Sequence, residues 1–117
     1  MSRIRIWLDD ERNPNDPMVK KLFLSTGNET WVKTAEKAIA LLSTGKVSEL
    51  SFDHDLGCPN ATGLQVANYI EQEVTQGNIP MPLWRIHSKN PVGAKAIVHA
   101  MKNTEKIVQM RRQGLIK

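Results

Sequence analysis

Apolar positions in this chain come in short runs, each closed by a polar or turn-forming cluster. Ile4, Ile6 and Leu8 alternate with Arg3, Arg5 and Trp7, the period of two that a strand produces, and the run stops at Asp9. Asn13-Pro14-Asn15-Asp16-Pro17 is turn chemistry, because proline fixes φ and Asn and Asp bond their own backbone. A short helix is predicted over 18–24 and a short strand over 30–33. Thr34 then caps a helix whose Ala35, Ala38, Ile39 and Leu42 share a face, with Glu36 in the first turn and Gly45 ending it. Residues 48–52 read as a strand and Gly57-Cys58-Pro59-Asn60 as a loop. A helix over 62–76 buries Gly63, Val66, Ala67, Ile70 and Val74, and Gly77-Asn78 stops it. Pro80 and Pro82 lead into a strand at 83–86. Asn90 and Pro91 suit the cap and first position of a helix whose Ala94, Ile97, Val98 and Met101 share a face, and residues 106–110 are predicted as a final strand.

Strands that alternate with helices call for parallel pairing and crossover connections. The expected fold is therefore α/β: a doubly wound, mainly parallel five-stranded sheet with helices on both faces. At 117 residues the chain is about one domain, expected over 1–110 with a short basic tail at 111–117. The net charge of +4 sits at that end, where Lys102, Lys106, Arg111, Arg112 and Lys117 face Glu105 alone. A basic end can attract phosphate-rich partners, although a solvated tail is the more common reading of such charge. No apolar run nears the ~20 residues of a membrane span. With no secretory signal and a single cysteine, Cys58, the expected setting is cytoplasmic, away from any membrane.

Three clusters follow directly on predicted strands: Asp9-Asp10, Asp53-His54-Asp55 and His87-Ser88. Parallel neighbours bring their carboxyl ends to one edge, where open α/β sheets bind ligands. Adjacent carboxylates repel unless a cation or several donors compensate. Asp9, Asp10 and a third carboxylate from Asp53 or Asp55 form a partial oxygen shell suited to Mg²⁺. Alternatively, such acids hydrate a strand end or pair with Arg12. His54 and His87 can move protons near neutral pH or sit as structural histidines. Ser88, Lys89 and Asn90 fall at a predicted helix start, which favours an anion; Ser88 and Asn90 serve equally as caps.

Asp55 to Gly63 resembles the phosphoacceptor loop of two-component receiver domains, an aspartate followed four residues later by proline and eight later by glycine. Asp9-Asp10 resembles the acidic pair of those domains, and Ser88 the Ser/Thr that ends their fourth strand. The likeness covers nearly the whole chain and implies the receiver/flavodoxin-like form of the fold. His54 before the acceptor, the run His87-Ser88-Lys89-Asn90-Pro91-Val92-Gly93, and the lack of a lysine followed by proline after the fifth strand depart from the ordinary pattern. Together with Trp7-Leu8-Asp9-Asp10-Glu11-Arg12-Asn13-Pro14 and Ser51 to Gly57, these departures are similar to atypical receivers associated with processing of cyclic phosphates.

That resemblance implies a metal-assisted phosphoesterase acting on a cyclic nucleotide or a cyclic-phosphate RNA end. Asp9, Asp10 and Asp55 would hold Mg²⁺ or Mn²⁺, Asp53 would orient its neighbours, and His54 and His87 would divide acid and base roles. Arg12, Ser88, Lys89 and Asn90 would face the phosphate. Two other readings stand beside it: a receiver phosphorylated on Asp55, and a binder that sequesters a cyclic nucleotide without turnover.

Overall fold

The computed structural model describes residues 3–52, 62–87 and 95–115. Four strands and four helices alternate through them: β1 (Ile4–Leu8), α1 (Pro17–Phe23), β2 (Thr30–Val32), α2 (Ala35–Leu42), β3 (Val47–Phe52), α3 (Thr62–Thr75), β4 (Leu83–Ile86) and α4 (Lys95–Arg112). All strand pairs are parallel, in the order β2-β1-β3-β4. Consecutive strands thus fill outward from β1 to both sides, the doubly wound arrangement expected of the alternation.

Local chemistry sets the boundaries. Asp16 caps α1 by accepting from Met18 N at 2.8 Å, with Pro17 in the first turn. Thr34 caps α2 by accepting from Lys37 N at 3.2 Å. Gly77, at φ +80°, takes the left-handed conformation that ends α3: its N–H reaches Val74 O at 3.0 Å, and Asn78 N reaches Glu73 O at 2.8 Å. That pair of bonds satisfies the carbonyls a helix end leaves open.

The two faces of the sheet are covered unequally. Ile6, Leu8, Val32, Leu50 and Phe52 point to the face that carries α2, α3 and α4, where they bury Ala38, Leu42, Val66, Ala67, Ile70, Ile97 and Met101. Each fully buried Leu, Ile or Phe there stabilises the fold by roughly 1.5–3 kcal/mol. The opposite face has a smaller core of Trp7, Val19 and Phe23 with Trp31 at its rim, formed beneath the short α1. Beyond it the sheet surface is polar, with Arg5 Nε bound to Glu49 Oε2 at 3.1 Å.

One predicted element is corrected. Residues 106–110 form no fifth strand; they continue α4, which runs to Arg112. The β-branched pair Ile107-Val108 suggested a strand. However, Val108 falls in helical register with Ile97, Met101 and Thr104 and packs against the larger core, and tertiary burial overrides local propensity. Gly114, at φ +74°, then ends the helix, with Leu115 N bonded to Met110 O at 2.9 Å.

Candidate functional site at the carboxyl edge of the sheet

The registers Leu8↔Phe52 and Phe52↔Ile86 align the carboxyl ends of β1, β3 and β4. Asp9 and His87 follow directly, and His87 N donates to Phe52 O at 2.8 Å. Side-chain alternation sends Leu8 into the larger core and Asp9 to the α1 side, where His87 also points. Two segments 78 residues apart therefore meet in one buried contact, His87 Nε2 with Asp9 Oδ2 at 3.1 Å. The other ring nitrogen of His87, Nδ1, lies 2.6 Å from Ser51 Oγ on β3.

The resulting chain, Ser51–His87–Asp9, is sealed from solvent: their exposures are 6%, 2% and 0%. Trp7 stacks on the imidazole at 3.7 Å between ring centroids, and Phe23 meets it edge-on at 6.2 Å. Asp9 Oδ1 accepts from the backbone N–H groups of Glu11 and Arg12, both at 2.9 Å, and Arg12 Nη1 approaches Oδ2 at 3.5 Å. Burial by itself would raise the Asp9 carboxyl; the hydrogen bond from His87 and the N–H groups of Arg12 and Glu11 outweigh it, so Asp9 stays ionised below its ordinary range. For His87, burial is the largest influence and lowers its pKa, against the upward pull of Asp9, while the positive charges of Arg85 and Arg12 lower it further. The imidazole is thus neutral near pH 7. An anionic Asp9 needs a donor at Nε2, which fixes the tautomer: Nε2–H donates to Asp9, and Ser51 O–H donates to Nδ1.

Asp9 and Asp10 are expected to share one task, and the structure separates them. All four acceptor positions of the Asp9 carboxylate face protein donors, so it can ligate a metal only by giving one up. Asp10 differs: its Oδ1 is buried with no hydrogen-bond partner among the described residues, the condition a cation would relieve. No group of three acidic, histidine or cysteine side chains that could hold a metal occurs among those residues. Asp10 therefore fits as one ligand of an incomplete shell.

Both ring nitrogens of His87 are engaged, and its side chain has no exposed surface. Arg12 sits at the rim, its guanidinium 4.7 Å from the Phe23 ring centroid and its carbonyl held by Trp7 Nε1 at 3.0 Å. Trp31 Nε1 ties down the Asp9 carbonyl at 2.7 Å. Asp53, His54, Asp55, Ser88, Lys89 and Asn90 lie outside the described residues, as does Cys58. Sequence reasoning missed Ser51 and the aromatic box of Trp7 and Phe23. The available signal was alternation, which puts Ser51 and Trp7 on the same side of the sheet as Asp9.

A parallel sheet in the order β2-β1-β3-β4, flanked by helices and bearing an acidic pair after β1, defines a receiver-like α/β domain. The chain belongs to the family of cyclic-phosphate processing receiver domains, whose family model matches residues 4–103. No curated protein and no solved structure matches it. No helix among the described residues is long and apolar enough to cross a membrane.

Proposed function

We propose that this chain is a metal-assisted phosphoesterase that opens the cyclic phosphate of a nucleotide or an RNA end. The observation that carries the proposal is the pairing of opposites after β1: a saturated, interior Asp9 beside an Asp10 whose buried Oδ1 lacks a partner among the described residues. A carboxylate oxygen left in that state at the ligand-binding edge of an α/β sheet is suited to a divalent cation. Asp10 and Asp55 would hold Mg²⁺ or Mn²⁺, which polarises the phosphoryl group and offsets developing charge.

The chain's own groups divide the remaining work. Water attacks phosphorus, one ring P–O bond breaks, and the leaving oxygen takes a proton. His54, set between two carboxylates in sequence, is assigned that proton traffic. His87 is a positioning residue: it holds Asp9, which in turn fixes the Glu11 and Arg12 backbone and thereby the corner carrying Asp10. Arg12, with Ser88, Lys89 and Asn90, grips phosphate oxygens, while Asp53 orients its neighbours.

The test is a screen of 2′,3′-cyclic and 3′,5′-cyclic nucleotides and cyclic-phosphate RNA ends, with and without Mg²⁺ or Mn²⁺. Metal-dependent product that disappears in Asp10→Asn and His54→Ala is expected. Absence of metal-dependent product from every substrate rejects the enzyme reading.

A further inference from the structure

The outward face of α4 carries a stripe of positive charge that the proposed chemistry does not use. At about 100° per residue, Lys95, His99, Lys102 and Lys106 fall on one line, opposite the buried Ile97, Ala100, Met101 and Thr104. The three lysines are exposed, and none has an ion-pair partner among the described residues. The stripe contains no carboxylate. Glu105 lies to one side and is engaged by Trp84 Nε1 at 3.0 Å. At about 1.5 Å rise per residue, Lys95 to Lys106 spans roughly 16 Å, and the stripe starts at the end of α4 that follows β4.

A groove of about 500 Å³ runs beside this stripe between α3 and α4. Asn68, Gln72, Gln76 and Asn103 line it with amide groups, and the Thr75 Oγ1 is buried without a hydrogen-bond partner among the described residues. Glu71 also lines the groove, its Oε2 accepting from Asn103 Nδ2 at 2.7 Å, and its charge disfavours phosphate there. Phosphates are thereby directed to the lysines, while the amides are suited to the donor and acceptor edges of bases.

We infer that the α4 stripe and the α3–α4 groove bind a single-stranded phosphodiester chain, the lysines tracking its backbone and the groove taking a base. This rests on the proposed phosphoesterase reading only for its link to catalysis, where it makes an oligonucleotide end, rather than a mononucleotide, the substrate.

Binding is tested apart from turnover, by fluorescence anisotropy of the full chain with labelled single-stranded RNA and DNA octamers ending in a 3′-hydroxyl. Three phosphate contacts predict a log–log salt slope of about −2, a roughly 20-fold loss of affinity between about 50 and 200 mM salt. The triple variant Lys95→Gln/Lys102→Gln/Lys106→Gln, all on the surface, is expected to keep its circular dichroism spectrum and lose that slope. Gln72→Ala is expected to weaken binding without altering the slope. Binding to neither octamer, an unchanged slope in the triple variant, or preference for anionic vesicles over both octamers overturns the inference. Octamer binding without hydrolysis of any cyclic phosphate would leave this inference standing and reject the phosphoesterase alone.

Discussion

Replacing Asp9 by asparagine removes one charge from the centre of the Ser51–His87–Asp9 chain while keeping its shape. The amide oxygen can still accept from Glu11 N and Arg12 N, which in the parent lie 2.9 Å from an ionised oxygen. Hydrogen bonds to charged groups contribute about 1.5–3 kcal/mol against about 0.5–1.5 for neutral ones, so three weakened bonds cost roughly 3 kcal/mol. The exposed side of the Arg12 pair adds little. A neutral amide is cheaper to bury than a carboxylate, which returns part of this and leaves a net loss of about 2 kcal/mol. The amide NH₂ would also meet Nε2–H, donor against donor, and the conflict is relieved by moving the imidazole proton to Nδ1, which then donates to Ser51 Oγ. Urea denaturation measures the stability, and long-range ¹H–¹⁵N correlations of the ring report the tautomer. A variant as stable as the parent, or an imidazole already protonated at Nδ1 in the parent, refutes the direction assigned to each hydrogen bond in the chain.

Other perturbations of the same corner have distinct signatures. Ser51→Ala strands a buried Nδ1 acceptor and is expected to cost about 1–2 kcal/mol in urea melts. Both titrating members of the chain have depressed folded pKa values, so each contributes stability that is present above its unfolded pKa and lost on acidification. Stability should begin to fall below the ordinary histidine value of 6.5, as the unfolded chain takes up a proton that native His87 refuses, and fall again below 3.8 as Asp9 follows. Denaturation midpoints from pH 8 to 3 check this, and a midpoint that rises between pH 7 and 5 contradicts it. Finally, Mg²⁺ at 100 times its dissociation constant should stabilise the parent by about 2.7 kcal/mol and leave Asp10→Asn unmoved in thermal shift.

Much of the fold was legible because its elements advertise themselves by period. The helical stripe of Ala35, Ala38 and Leu42 and the alternation through Ile4, Ile6 and Leu8 gave the right faces, and the boundaries erred by a residue or two. Residues 106–110 misled because Ile107 and Val108 favour strands locally, while their fate depends on a core built by residues far away in sequence. The meeting of Asp9 with His87 could be read from their shared place after strands. Their division of labour could not, since it depends on Ser51, an ordinary strand residue until the sheet register places it beneath an imidazole. Equally, nothing in the pair Asp9-Asp10 distinguishes the acid that turns inward from the one with an unpartnered oxygen.

The lesser core beneath α1 has a kinetic corollary. Phe23, on a helix of seven residues, shields the imidazole edge, and among the described residues Val19 alone joins Trp7 and Phe23 in the buried apolar part of that layer. So thin a lid breathes far more often than the domain melts. Solvent protons therefore reach His87 at a tempo set by two turns of helix, and the imidazole can re-equilibrate while the opposite layer stays shut.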